Sequence, residues 1–273
     1  MQFMYTHTCQ YHNLLQLFHG SMVGIMGTRF DIVLSTENKS EAEKLWENTV
    51  SILSRLDDML NRFNPQSELS QINREAFKKT ISITSEMLKI LQLCADYHRK
   101  TFGYFDITLR DFSKVLIDEK AMTVYFSEEI KLDLGGFAKG YTMTFIEQML
   151  VNNGFCNAFV DFGNSSITAL GHHPHGDCWK VSVPNPFDNG KILEEIELRN
   201  ASMSTSGNTP IYGEHIINPL SGKYVKEKKM ICIVAPNALD AEILTTALMA
   251  ALDVEKEKIL TNFVVERKME FVL

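Results

Sequence analysis

Apolar and polar residues switch between two periods along this chain, and the switches mark its elements. Met22–Ser35 (MVGIMGTRFDIVLS) sets Phe30, Ile32 and Leu34 on one side with polar or small residues between them, the two-residue repeat of a strand. Leu45, Trp46, Val50, Leu53, Leu56, Leu60 and Phe63 then recur at helical spacing. Ser40 and Glu43 ahead of them read as a capping box, and Asn64 with Pro65 should stop the helix. Ser85–Lys100 predicts a second helix with Met87, Leu88, Leu91, Cys94 and Ala95 inward. A third starts near Gly140 and ends at Gly154, where a left-handed terminal glycine fits. Short β-type runs cover Thr123–Phe126, Asn157–Phe162, Trp179–Val183, Ile192–Leu198 and Met230–Ala235. A last helix over Leu239–Leu252, capped by Asn237, precedes a final strand over Phe263–Phe271.

Strands cluster instead of alternating strictly with helices. The expected class is therefore α+β, with mixed or antiparallel sheets and packed helices, and not a doubly wound parallel sheet. No repeat, low-complexity tract or Pro/Gly/Ser linker divides the chain. Residues 1–21 read as an N-terminal extension expected to pack poorly, and residues 22–273 as one domain without an internal boundary.

Composition narrows the function classes. A chain of 273 residues, 45% apolar and 22% charged, buries a core without disulfide staples. The five cysteines are scattered with no CxxC pair and read as reduced or buried. Asp+Glu 34 against Lys+Arg 27 gives a charge of -7 with no long basic run, which argues against a nucleic-acid or anionic-membrane surface. An anionic ligand therefore needs locally placed cations or a metal. No run reaches the roughly 18 apolar residues of a transmembrane helix. The first twenty residues have neither the basic nor the apolar region of a secretory signal, and the surroundings of Cys9 are too polar for lipidation, so the sequence reads as cytoplasmic.

Chemistry concentrates in four places. Leu132–Tyr141 (LDLGGFAKGY) is a glycine-rich strand end entering a helix, with Lys139 to attract an anion; its spacing is not that of a Walker loop, and a purely structural turn is the competing reading. Ser204-Thr205-Ser206-Gly207-Asn208 offers hydroxyls to phosphate or flavin oxygens. It is followed by His215 in HIINPLSG, which reads either as a functional imidazole or as a structural hydrogen-bonder. Glu242 and Thr246 are four apart, so a helix stacks their oxygens on one face, a pairing that suits Mg²⁺ but equally an ordinary helix. Gly171–Cys178 (GHHPHGDC) has metal-ligand residue types, yet Pro174 and Gly176 make it a solvent loop.

Taken in order, these pieces resemble the ApbE family, the FAD:protein FMN transferases, from Met26 to about Leu252. The resemblance rests on Met26-Gly27-Thr28, the FNPQSEL segment Phe63–Leu69, Gly103-Tyr104-Phe105-Asp106-Ile107-Thr108, LDLGGFAKGY, Val160–Ser166, Thr205-Ser206-Gly207, HIINPLSG and AEILTTAL. It implies an ApbE-like fold that binds FAD as substrate. It also implies an Mg²⁺ ion on the pyrophosphate and transfer of the FMN half to a Thr or Ser hydroxyl of a target flavoprotein, with release of AMP. By resemblance, Met26, Phe63, Tyr104, Phe105, Asp106, Asp133, Lys139, Thr205, Ser206 and Gly207 line the FAD site. The main-chain oxygen of Gly136 with the side chains of Glu242 and Thr246 would hold the metal, and His215 stands nearest the chemistry.

The chain departs from the family pattern in several places. Glu242 replaces the usual Asp, and Thr144 stands where an acidic residue is usual. The stretches from Thr108 to Leu132 and from Gly207 to His215 are short. Many members are exported or membrane-anchored, but no such leader is evident in this sequence. An FAD diphosphatase yielding FMN and AMP, and a non-catalytic FAD-binding protein, remain alternatives at this point, as does the oligomeric state.

Overall fold

The run Lys229–Ala235 is buried from Met230 onward, and its alternate residues belong to two different cores. Ile231, Ile233 and Ala235 face one way and Met230, Cys232 and Val234 the other. That is the pattern of a strand covered on both sides, and it organises the molecule. The structure, a computed structural model, describes residues 5–188, 190–210, 213 and 215–273.

In chain order the strands and helices begin with β1 (Thr6–His12), β2 (Leu17–Ile25), β3 (Thr28–Ser35), α1 (Lys39–Leu60), α2 (Glu68–Glu75), β4 (Ile81–Ser82) and α3 (Ser85–Lys100). Then come β5 (Val115–Asp118), β6 (Thr123–Phe126), α4 (Ala138–Asn152), β7 (Ala158–Phe162), β8 (Ser166–Leu170), β9 (Trp179–Pro184), β10 (Ile192–Leu198) and β11 (Ala201–Gly207). The chain closes with β12 (Ile217–Asn218), β13 (Lys223–Tyr224), β14 (Lys229–Ala235), α5 (Ala238–Ala250), α6 (Asp253–Leu260) and β15 (Arg267–Val272).

Eight strands form one sheet in the order β1-β2-β3-β7-β8-β11-β14-β15, every pair antiparallel. Helix α1 lies over the β2–β3 end, where Trp46, Leu45 and Leu53 join Phe18, Met22, Phe30 and Ile32 in one core. Helix α5 lies over β11 and β14. On the opposite face the β9–β10 hairpin covers the same strands through Trp179, Val181, Val183, Ile196 and Leu198. The antiparallel sheet with helices gathered on it is the α+β architecture expected from strand clustering.

Several local expectations change. The first described residues, set apart as an extension by their weak pattern, form β1 and β2 of this sheet; β1 is an exposed edge, but Phe18 and Gly20 of β2 are buried. The single strand expected over Met22–Ser35 is a hairpin. Met26 and Gly27 both have positive φ (+45° and +74°), and Ile25 pairs with Thr28 across them. Asn38 caps α1 by accepting from the Glu41 N–H, so Ser40 lies within the helix, which ends at Leu60 before the Asn64-Pro65 stop. Helix α2 and strand β8 carry no clear periodic signal and were not expected, and the hydroxyl-rich Ser204–Asn208 cluster is largely strand β11. All five cysteines are unpaired, Cys94 and Cys232 being buried. No helix among the described residues is long and apolar enough to cross a membrane.

Candidate functional site

Helix α5 is set by its cap: the Asn237 side chain accepts from the N–H groups of Leu239 and Asp240. It is apolar on nearly every side and buried accordingly, with Ala241, Ile243, Leu244, Ala247 and Leu248 wholly inaccessible. Glu242 and Thr246 interrupt that surface on the face that meets α4. The glycines of LDLGGFAKGY make the meeting close. A β-carbon at Gly140 would lie 2.8 Å from the Glu242 Cβ and 3.0 Å from the Leu239 Cα, and one at Gly136 would lie 3.0 Å from Thr246 Oγ1. These two glycines therefore serve helix contact, which brings the Gly136 backbone beside Thr246 and Lys139 beside Glu242.

Glu242 is 4% exposed and fully engaged. Its Oε1 lies 2.5 Å from Lys139 Nζ. Its Oε2 accepts from Ser166 Oγ on β8 and, at 3.1 Å, from Ser204 Oγ on β11. Lys139 also donates to Ser165 Oγ and Ser166 Oγ, both at 3.1 Å. Behind them Ser206 Oγ donates to Thr245 Oγ1 at 3.0 Å, and Thr245 Oγ1 donates to the Glu242 carbonyl. Burying a carboxylate without partners is costly, so the network explains why hydroxyl residues occupy inward positions of β8 and β11.

The network opens into a cavity of about 970 Å³. Gly136, Lys139, Glu242 and Thr246 line it together with Thr205, Ser206 and Gly207 from β11 and with His215. Tyr104, Phe105 and Asp106 line it from the loop after α3, and Phe63 and Asp133 from the turns after α1 and before α4. A second cavity of about 210 Å³ adjoins, sharing Arg62, Phe63, Asp133, Gly135 and Lys139. Met26 lines this smaller cavity and not the larger one.

Individual residues play distinct parts. Phe63 is 72% exposed at the junction of the two cavities, with the Arg62 guanidinium 4.7 Å from its ring centroid. Arg62 also pairs with Asp133 at 2.8 Å, and Asp133 accepts from the Gly135 N–H within its own turn. Asp106 lines the cavity but uses both oxygens on the loop: Oδ1 accepts from the Thr108 N–H and hydroxyl, Oδ2 from the Phe112 N–H. His215 is exposed on the rim, its Nδ1 2.9 Å from the Gly213 carbonyl, to which it donates. Burial of the Asp161 carboxyl, also on the cavity wall, pushes its pKa up. The GHHPHGDC loop is elsewhere occupied: His172 Nδ1 contacts the His173 carbonyl, and the His173 ring packs edge-on to Trp179.

Arg62 escapes sequence reasoning, because a single cation beside an aromatic residue has no distinctive pattern. The part played by Ser166 and Ser204 also escapes it, since their partner lies 76 and 38 residues away.

The donor set fits a hard, oxygen-seeking cation. It consists of one carboxylate, the Thr246 hydroxyl and the main chain at Gly136, with room in the cavity for ligand oxygens to complete a shell. No group of three or more His, Cys, Asp or Glu side chains gathers to hold a metal among the described residues. Mg²⁺ would thus depend on its substrate's oxygens, as Mg²⁺ sites commonly do.

Known proteins are similar to this chain in sequence and fold. An FAD:protein FMN transferase of Chlamydia muridarum is 26% identical over 86% of this chain and 85% of its own length. One of Klebsiella pneumoniae is 22% identical over 82% of this chain and 76% of its own. The solved flavin transferase ApbE of Vibrio cholerae superposes with a TM-score of 0.77 at 17% identity, covering 98% of this chain and 96% of that one. The ApbE protein of Thermotoga maritima also gives 0.77, at 20% identity and with 98% and 97% covered. The model of the ApbE family matches residues 26–124 and 109–266, nearly the whole chain, and the chain belongs to the ApbE family.

Proposed function

We propose that this protein transfers the FMN half of FAD to a Thr or Ser hydroxyl of a target flavoprotein and releases AMP, with Mg²⁺ held by Glu242, Thr246 and the main-chain oxygen of Gly136. The observation that carries the reading is the convergence of the LDLGGFAKGY turn, the Thr205-Ser206-Gly207 strand end, the AEILTTAL helix and His215 on one 970 Å³ cavity. A space of that size is at the upper end of small-molecule sites and suits a dinucleotide. The names carried by its relatives support the same reaction.

The acceptor hydroxyl oxygen bonds to the phosphorus on the FMN side of the pyrophosphate. The bond from that phosphorus to the bridging oxygen breaks, and AMP leaves with the electron pair. Mg²⁺ held by Glu242, Thr246 and the main-chain oxygen of Gly136 would supply positive charge to the phosphate oxygens. Lys139, with Arg62 and Lys180 on the same cavity wall, brings positive charge to the phosphates in a chain of charge -7. His215, on the cavity rim, accepts the hydroxyl proton.

Incubation with FAD, Mg²⁺ and a candidate flavoprotein acceptor tests the reading. AMP and a covalently fluorescent acceptor are expected. Free FMN and AMP without any acceptor would assign a diphosphatase instead, and FAD left intact with several acceptors would leave only binding.

A further inference from the structure

The metal-ligand position already contains a cation, and it belongs to the protein. Lys139 Nζ is 2.5 Å from Glu242 Oε1, with the two side chains 19% and 5% exposed. The other carboxylate oxygen is fixed by Ser166 and Ser204. Oε1 is therefore the oxygen that an incoming ion must take, and Lys139 must yield it. Two cations on one buried oxygen repel strongly, because the surroundings screen them far less than water does. Lys139 also lines both cavities, so a phosphate entering the site offers its ammonium a second anion.

We propose that Lys139 and a divalent cation occupy Oε1 of Glu242 in turn, so that the protein alone holds the ion weakly and takes it up as dinucleotide phosphates draw Lys139 away. The proposal rests on the function proposed above. It assigns Lys139 two duties: neutralising Glu242 when the site is empty of substrate, and gripping phosphate when it is filled. The order of binding follows, with FAD, alone or already carrying its ion, preceding any tight hold on metal.

Direct binding of Mn²⁺ to the protein without nucleotide, followed by the electron paramagnetic resonance of free Mn²⁺, tests it. Lys139→Met should bind Mn²⁺ about tenfold tighter than the unaltered protein, because the buried carboxylate loses its counter-ion. Adding Glu242→Gln to that variant should abolish the gain. Flavin fluorescence in the presence of EDTA should show Lys139→Met binding FAD more weakly. If Met at this position prevents folding, Lys139→Gln keeps a donor for Ser165 and removes the charge, and the same tightening is expected. Unchanged or weaker Mn²⁺ binding in a folded variant overturns the proposal. If the unaltered protein binds neither FAD nor Mn²⁺ in FAD's presence, the functional reading itself falls; if it binds both and the lysine variants gain nothing, only this inference does.

Discussion

A β-carbon at Gly140 would sit 2.8 Å from the Cβ of Glu242, so the approach of α4 to α5 is set at the residue that neighbours Lys139. Alanine in a helix interior ordinarily stabilises by about 0.5–1 kcal/mol relative to glycine. Here the sign should reverse. Gly140→Ala is expected to cost about 1–3 kcal/mol by overpacking and to weaken FAD binding by displacing Lys139 from the cavity wall. Urea unfolding and flavin fluorescence on the same preparation measure both, and a stabilised variant would show that the helices have slack.

Glu242→Gln keeps the shape of the side chain and removes its charge. Metal affinity should fall, with turnover falling alongside and FAD binding in EDTA changing less. AMP release across an Mg²⁺ titration reads the effect. Equal activity in the variant would remove Glu242 from the metal position.

His215→Ala is expected to lower the rate of transfer by about 10²–10⁴-fold while FAD affinity holds, since a rim imidazole contributes to proton removal more than to binding. Single-turnover AMP release beside flavin fluorescence separates the two effects. An unaltered rate would assign the proton to another group.

Asp106 ties three donors of the loop that carries Tyr104 and Phe105. Asp106→Ala should cost about 1–3 kcal/mol of stability through the donors left unpaired, and should weaken FAD binding indirectly. Thermal unfolding with and without FAD separates the two. Weakened binding at full stability would instead mean that the carboxylate contacts FAD itself.

Burial pushes the Cys232 thiol up to about 12 and holds the Cys94 thiol well above its ordinary value. In the unfolded chain both ionise near ~8.5. Between those limits the folded state keeps protons that the unfolded state has lost, so stability falls as pH rises. Each thiol contributes a slope of up to about 1.4 kcal/mol per pH unit there. Cys232→Ala should flatten the alkaline decline in the urea midpoint, and thiol labelling at pH 8 should spare Cys94 and Cys232.

What the sequence discloses divides along physical lines. Helix α3 is legible from its apolar spacing, and α5 from a long apolar run behind the Asn237 cap, whose side chain accepts from the first turn. Strand β11 is hidden because its inward Ser202 and Ser204 make hydrogen bonds where apolar contacts are usual, so no two-residue hydrophobic rhythm appears. Helix α2 is hidden because it is short and mostly polar. Among site residues, those within contiguous motifs are visible. Arg62 and the two serines on Glu242 are not, since each is defined by a partner that folding supplies.

Helix α5, buried along nearly its whole length, carries Glu242 and Thr246. A side chain mounted there cannot loosen by local fraying; it is lost only when the whole domain melts. Saturation with a ligand that grips this helix should therefore appear as a rise in melting temperature of the entire protein, which makes simple thermal-shift screening a direct route to its natural ligands.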